Sequence, residues 1–434
     1  MGLLNSFRNK LFWTVDFLKG GQIWKHYKEI KLISENYHSN TSRQLRERNL
    51  SDLLNHAVTT TPFYKGIKDA STIESFPVID KGIIRNNFEE FKSITYRDQE
   101  QIQVSSSGST GIPFKVYQNR NKRNRNIADT IYHVEKSGYK LGTKLFYLRV
   151  WTAQNRKSPL LAWLQNIEMQ DITNLNDKEV EKLIKALSSK EEKGIISYAS
   201  SLEVICKYLD KVNSKPLNCN LNAIIANSER LNEYTRGALK KYFNAPVVSR
   251  YSNAENGILS QQNISGEEGF DINWASYFVE ILKFDDDKAV EPGEYGRVVI
   301  TDLFNWCMPI IRYDTGDIAC LKNNNENIPS FKKVEGRKLD LVYNTKGELL
   351  SSYVIGSLMA KYSDLNQYQF IQEGKIDYVF KLNTATEFTK EPELIKEFRT
   401  CLGPESNLKI KYVDEIPLLA SGKRRQVVNN YVKT

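Results

Sequence analysis

An α/β fold is predicted for this 434-residue chain: a large domain whose β-sheets are flanked by helices, followed by a smaller α+β domain. Three observations carry the expectation. At roughly 150 residues per compact unit, the chain is long enough for two to three units and a cleft between them. Between about residues 100 and 335, short apolar runs alternate with amphipathic helical stretches, the pattern of βαβ units. Beyond "VEGRKLDLVYN" the alternation resumes on a smaller scale. The expected organisation is a helical region over residues 1–80 packed on the large domain, the large domain over 81–339, and the small domain over 340–434.

In chain order, "MGLLNSFRNKLFWTVDFLKGGQIWKHYKEIK" reads as amphipathic helix. It lacks a small-residue secretory cleavage site, and it either packs on its own domain or rests against a membrane surface. "RQLRERNLSDLLNHAV" sets Leu45, Leu50, Leu53, Leu54 and Val58 at near-helical intervals before "TTTPFY" ends the pattern. Strands follow in "KLFYLRVW", "GIISYA", "NAIIAN", "APVVSRY" and "GRVVITDL", with helices in "NDKEVEKLIKALSSK" and "NEYTRGALKKYF". In the last part, strands are expected near 339–342, 367–372, 377–382 and 408–413, with helices near 352–362 and 392–402.

Composition narrows the function. No window holds the roughly 18 unbroken apolar residues of a membrane span. Five scattered cysteines without a C-x-x-C pair suit a reducing compartment, the cytoplasm. Four histidines have no metal-ligand spacing, and none is chosen as a catalyst. The formal charge of +9 is modest, and its densest cluster is "NRNKRNRN" at 119–126. That run would attract a polyanion, but it has neither interleaved aromatics nor a nucleic-acid module around it, and a solvated helix face is the expected role. No nucleic-acid partner is expected.

"SSSGSTGIPFKVY", residues 105–117, combines hydroxyls and glycines that could wrap phosphate oxygens, or could form a plain turn. Its spacing is not that of a Walker loop, because the proline leads into the strand-like "FKVY".

Set beside it, "RYSNAENG", "MPIIRYDTGD", "VEGRKLD" and "EIPLLASGKRR" follow in order. Together the five segments resemble the signature of the adenylate-forming superfamily of acyl-CoA synthetases, adenylation domains and luciferases. "LLNHAVTTTPFYKGI", "SFPVIDKGIIRNNF", "IIANSERL" and "GEYGRVVITDLFNWCMPIIRYDTGDIA" are similar to its phenylacetate-CoA ligase branch and to the related CapK-type proteins of capsular polysaccharide biosynthesis. The resemblance runs from about Leu45 onward. It implies an enzyme that uses ATP and Mg2+ to activate a small-molecule carboxylic acid as an acyl adenylate. A thiol, such as that of CoA, or an amine, on a sugar or amino acid, would then take the acyl group. A phenylacetate-CoA ligase-like aryl-CoA ligase is the alternative to a role in capsule or O-antigen biosynthesis. A module that binds nucleotide without reaction is a further one.

The resemblance also implies residue roles. Ser106, Ser107, Ser109 and Thr110 would hold the β- and γ-phosphates, with Gly108 and Gly111 allowing close approach. Phe114 and then Lys115 follow the proline, where many relatives carry lysine at once. Tyr251 would stack on adenine and Glu255 would hold magnesium. Ser252 and Ala254 depart from the usual glycine and hydroxyl residue of that motif. Relatives with a possible Cys/His metal site downstream have no counterpart here. Ser228 and Glu229 would touch adenine and the activated acid, although Ser228 alone reads equally as a helix N-cap. Asp317 would accept both ribose hydroxyls. Arg312 and Asp314 would shape the loop, and Arg337 would reach the nucleotide or hold the hinge. Asp340 would be that hinge, about which a mobile small domain rotates between half-reactions. Lys423 would bridge acid and α-phosphate as charge builds between them. Tyr198, Trp151 and Arg149 are candidates for the acid pocket.

Overall fold

The computed structural model describes residues 2–106, 114–151, 155–264, 269–322, 328–337, 342–350, 352–359, 361–362, 364–384, 386–417 and 425–431. The chain opens with α1 (Leu3–Leu18), α2 (Gln22–Glu35) and α3 (Asn40–Thr60). Ser39 caps α3 by accepting from the Ser42 N–H at 3.2 Å. Leu53, Leu54 and Ala57 of α3 are buried in the largest hydrophobic cluster of the molecule, together with Tyr64, Phe76 and Ile79. The first 80 residues therefore supply part of the large domain's own core. A short helix, α4 (Lys81–Asn86), follows, its N-terminus capped by Asp80 accepting from the Ile83 N–H at 2.8 Å.

Strands β1 (Ile102–Ser106) and β2 (Phe114–Gln118) pair antiparallel, with Ser106 opposite Phe114. Helix α5 (Arg120–Lys136) carries the basic run. There the expectation of a solvated face fails for two residues. Lys122 and Arg125 are fully buried, Lys122 on Asp302 at 2.7 Å and Arg125 on Glu29 at 2.9 Å, while Arg120 and Arg123 stay exposed. The partners lie far along the chain, so local sequence could not reveal which side of the helix faces in.

The βαβ reading describes the next stretch: β3 (Lys144–Arg149), α6 (Pro159–Gln165), β4 (Ile167–Asp171), α7 (Asp177–Leu187), β5 (Lys193–Tyr198), α8 (Ala199–Lys211), β6 (Leu221–Asn227), α9 (Glu233–Phe243) and β7 (Val247–Asn253). Its strands are parallel, in the order β4-β3-β5-β6-β7. Asparagines 176 and 232 cap α7 and α9, and Leu183, Leu202 and Leu239 of α7, α8 and α9 are buried against β5 and β6 in one cluster. The sheet then changes character. The strands β8 (Gly257–Gln262), β9 (Phe270–Ile272), β10 (Tyr277–Leu282), β11 (Tyr295–Asp302), β12 (Tyr313–Leu321) and β13 (Ser330–Arg337) extend it antiparallel, in the order β10-β11-β12-β13-β9-β8-β7.

After residues 338–341, which are not described, β14 (Val342–Tyr343) pairs with β15 (Leu349–Leu350). Then come α10 (Ser352–Met359), β16 (Leu365–Gln372), β17 (Asp377–Thr384), α11 (Glu391–Leu402), β18 (Asn407–Tyr412) and β19 (Val427–Asn429). The sheet β18-β17-β16-β19 and its helices enclose a separate core around Phe370, Phe380 and Phe398. The fold is a mixed α/β architecture with a distinct C-terminal α+β unit. Among the described residues no helix is long and apolar enough to cross a membrane.

Candidate active site

The site residues gather where the parallel strands end and the antiparallel half begins. Glu255 stands in the turn between β7 and β8, and three contacts hold that turn. The Gln118 side chain donates to the Glu255 carbonyl at 2.9 Å. Tyr277 donates its hydroxyl to the Asn256 carbonyl at 2.6 Å, and Lys122 in turn donates to that hydroxyl at 3.1 Å. The buried ion pair on α5 is thus the far end of a chain that positions Glu255.

The carboxylate of Glu255 is only 3 % exposed. Its Oε1 accepts from the Tyr313 hydroxyl at 2.7 Å and lies 3.0 Å from the Lys81 ammonium. Burial and the nearby Glu255 charge push the Tyr313 hydroxyl well above its ordinary pKa, so it stays a donor. The other oxygen, Oε2, is buried with no hydrogen-bond partner. A buried carboxylate oxygen is costly unless something ligates it. A magnesium ion held by one carboxylate and by phosphate oxygens matches that requirement. Among the described residues no cluster of three His, Cys, Asp or Glu could hold a metal without such help.

Lys81 was not singled out from sequence. Its ammonium lies 5.3 Å from the centre of the Phe114 ring, which stacks on Tyr313 at 6.2 Å. The available signal was a lysine following the helix-capping Asp80. Nothing local said that α4 would bring it to Glu255. Tyr313 was likewise passed over inside "RYDTGD".

Tyr251 and Asp317 are brought together. The Tyr251 hydroxyl donates to Asp317 Oδ2 at 2.7 Å and lies 3.3 Å from the Thr315 hydroxyl. Burial first, and then the Asp317 charge, raise the pKa of Tyr251 well above the ordinary value. The hydroxyl thus fixes the rotamer of the carboxylate, a role beyond the stacking expected of the ring. Across the β12–β13 ladder Asp317 pairs with the backbone of Arg337. Arg312 and Asp314 are both engaged in ion pairs. Arg312 holds Glu280 through two nitrogens at 3.1 and 2.9 Å, and Asp314 pairs with Arg297 at 2.9 Å.

One alternative reading does not hold. Ser228 is not the cap of the following helix, since Asn232 accepts from the Thr235 N–H at 2.7 Å and does that work. Ser228 instead takes a left-handed conformation, φ 66°, directly after β6. Glu229 turns toward α8 and accepts from the Ser200 N–H at 2.9 Å, capping a helix whose own N-cap, Tyr198, lacks a side-chain bond. Ser107, Gly108, Ser109, Thr110, Gly111, Asp340 and Lys423 lie outside the described residues, as do the side chains of Ser106 and Arg337.

Residues 342–430 match the CapK C-terminal domain. Protein CapK of Staphylococcus aureus is 24 % identical over 456 aligned positions, covering 99 % of this chain and 96 % of that one. A phenylacetate-coenzyme A ligase of Aromatoleum evansii is 20 % identical, covering 90 % and 95 %. The fold is similar to that of 2-hydroxyisobutyryl-CoA ligase in its postadenylation state with 2-HIB-AMP, with a TM-score of 0.69, 15 % identity and 90 % of each chain covered. It is also similar to O-succinylbenzoate coenzyme A synthetase of Bacillus subtilis in complex with AMP, with a TM-score of 0.54, 15 % identity, and 75 % and 67 % covered. Along nearly its whole length the chain is thus similar to a CapK protein and to a phenylacetate-coenzyme A ligase, its C-terminal residues match the CapK C-terminal domain, and its fold is that of adenylate-forming CoA ligases.

Proposed function

We propose that the chain is an ATP-dependent, AMP-forming ligase that activates a carboxylic acid as an acyl adenylate and passes the acyl group to an amine or thiol. The observation that carries this reading is the pair of carboxylates in one place. Glu255 has an unsatisfied buried oxygen, and Asp317 has its orientation set by Tyr251. In this reading the acid attacks the α-phosphate and pyrophosphate leaves. The hydroxyl loop at 106–111 receives the departing phosphates, and Glu255 would hold a magnesium ion, which would supply positive charge against theirs. Asp317 accepts the ribose hydroxyls, while the Tyr251 ring lies against adenine. Lys423 supplies the cation between acid and α-phosphate, with Asp340 as the pivot that delivers it. Lys81 adds a fixed positive charge beside Glu255.

In the first reading, which takes its setting from the likeness to the Staphylococcus aureus protein CapK, the enzyme serves surface-polysaccharide biosynthesis in the cytoplasm and the acceptor is an amine on a sugar or amino acid. Likeness to a phenylacetate-coenzyme A ligase, and to a 2-hydroxyisobutyryl-CoA ligase in complex with CoA, supports the second reading, a thiol acceptor. Acid-dependent exchange of labelled pyrophosphate into ATP tests the first half-reaction. Exchange with at least one acid is expected, and a folded protein that binds ATP yet exchanges with none of a broad panel of aryl, amino and sugar acids refutes the proposal. Release of AMP dependent on CoA, or on an amine, then selects the acceptor.

A further inference from the structure

The carboxyl ends of the parallel strands hold an unusual amount of positive charge. Tyr147, Ile196, Ile225 and Val248 form one lateral row across β3, β5, β6 and β7. Two residues further along each strand, on the same face, come Arg149, Tyr198, Asn227 and Arg250, the last three directly paired. Arg250 is 7 % exposed. Its Nε donates to Gln261 at 2.8 Å, but its Nη2 has no partner. The Nε of Arg149 is also buried without a partner, and its guanidinium lies 5.6 Å from the Tyr147 ring and 5.2 Å from that of Trp151. Asn227 is buried with its Oδ1 unbonded. Lys157 joins the group: burial, then Arg123 and Arg149, lower its pKa.

The carboxylates that face this cluster are engaged elsewhere. Glu229 caps α8, and Asp171 accepts from both the N–H and the hydroxyl of Thr173 at 2.8 and 2.5 Å. Among the described residues none of Arg123, Arg149, Lys157 and Arg250 has an ion-pair partner within 4.0 Å. Of these Arg250 is buried, Arg149 and Lys157 are half-buried and Arg123 is exposed. A buried cation without counter-charge is tolerated where a ligand brings one. In open α/β sheets ligands bind outside the carboxyl ends of the strands.

We propose that the acid activated by this chain carries a second anionic group, a carboxylate or phosphate, which the row of Arg149 and Arg250 with Lys157 holds while the first carboxylate reacts. Guanidinium donors suit either oxyanion, and the unbonded Asn227 Oδ1 offers an acceptor for a hydroxyl beside it. The inference rests on the reading of the site as one that activates an acid.

Two measurements on the full chain separate the failure of each. Calorimetry without ATP, using phenylacetate, homophthalate and phosphonoacetate as probes, should show the two-anion acids binding at least about tenfold more tightly than phenylacetate. Arg250→Gln and Arg149→Gln should each remove that preference. The better of the two doubly charged probes identifies the second group as carboxylate or phosphonate-like. Equal binding of all three, or a preference untouched by both substitutions, overturns the inference whatever the catalytic result. In pyrophosphate exchange the same variants should raise KM for the two-anion acid at least tenfold more than for phenylacetate, with a smaller change in kcat. Selective binding without any exchange overturns the assignment of acid activation and leaves the anion site standing.

Helix α1 presents a second, unrelated feature. It turns its polar side inward. Asn9 donates to the Leu141 carbonyl at 3.0 Å, Asp16 accepts from the Ile23 and Trp24 N–H groups at 3.2 and 2.9 Å, and Gly142 leaves no room for a Cβ beside the Asn5 carbonyl. Leu3, Leu4, Phe7, Phe17 and Leu18 face outward, with Leu3 93 % exposed and Phe17 77 %. Arg8 over the Trp163 ring links this face to α6, where Leu160 and Trp163 are also exposed. From Gly2 to Lys31 the exposed charges are Lys10, Lys19, Lys25, Lys28 and Lys31. The two acids there are taken up, Asp16 in capping α2 and Glu29 by Arg125.

Glu168, Glu191 and Glu192 line the cleft between α1 and α6, the last two paired with Lys144 and Lys140, whereas the exposed charges of α1 and α2 up to Lys31 are all cations. An apolar face beside such a run fits an anionic lipid surface, and we infer that α1 and α6 rest on one. Sedimentation with vesicles should show binding to an equimolar phosphatidylglycerol–phosphatidylcholine mixture at least about tenfold above phosphatidylcholine alone. The combined variant Leu3→Ser, Phe7→Ser, Phe17→Ser should lose it. No preference for anionic vesicles, or a concentration-dependent dimer of the native chain that the same variant abolishes, overturns the inference.

Discussion

Replacing Lys122 with methionine tests the chain of contacts that begins in the core and ends at Glu255. Lys122 and Asp302 are both inaccessible to solvent, with the ammonium 2.7 Å from Oδ2. Burial raises the pKa of Asp302 and Lys122 pulls it back. With methionine in place, the carboxyl must either remain as an uncompensated buried charge or take up a proton. Protonation at pH 7, from an ordinary value of about 3.9, costs about 1.4 kcal/mol for each of roughly three pH units, or about 4 kcal/mol. That agrees with the roughly 3–5 kcal/mol typical of breaking a buried pair from one side. The sign of the pH dependence follows. In the variant the folded pKa of Asp302 lies above its unfolded value, so the deficit is complete above the folded pKa and disappears below the unfolded one. At pH 5 about 1.5 kcal/mol should remain. Urea unfolding of wild type and variant at pH 7 and pH 5, followed by tryptophan fluorescence, measures both figures. Lys122→Met combined with Asp302→Leu should recover most of the loss. A deficit under about 1 kcal/mol at pH 7, or one that does not shrink by pH 5, refutes the reasoning.

Other predictions concern the nucleotide and acid stability. Tyr251→Phe removes a donor to a charged acceptor at 2.7 Å, worth about 1.5–3 kcal/mol, and should raise KM for ATP roughly 10- to 100-fold in pyrophosphate exchange, with less effect on kcat. Lys423→Ala should slow adenylate formation by about 10²- to 10³-fold and leave consumption of a supplied adenylate nearly unchanged, measured as separate half-reactions. Burial lowers the pKa of His26 to about 4 and that of His133 to about 3. Both are therefore neutral when folded and charged when unfolded at mildly acid pH. Stability should fall progressively as pH drops from about 6.5 toward those values, with His133→Gln flattening the slope of urea midpoint against pH.

Much of the parallel half was legible, because the apolar faces of α7, α8 and α9 and the runs that became β3, β5, β6 and β7 are local patterns. The antiparallel half was less so. Strand β9 follows β8 in the chain and pairs with it, but its other neighbour, β13, comes from a distant place in the sequence, and short strands carry no mark of their neighbours. The same limit explains the basic run. Its alternating asparagines and cations look solvated until Asp302 and Glu29 arrive on Lys122 and Arg125. In the site, Tyr251, Glu255 and Asp317 stood out through their ordered motifs. Lys81 did not, because what matters about it is proximity to Glu255.

By itself, then, the sequence determined the class of fold and the order of its two units, and carried the resemblance to adenylate-forming enzymes, since periodicity, caps and motif order are written locally along the chain. Tertiary structure alone decided which charges are buried and which carboxylate meets which donor: Tyr251 on Asp317, Lys81 and Tyr313 on Glu255, and the row from Arg149 to Arg250. The reason is physical. A charged side chain is stable in either water or a paired interior, and only the approach of a remote partner selects between them.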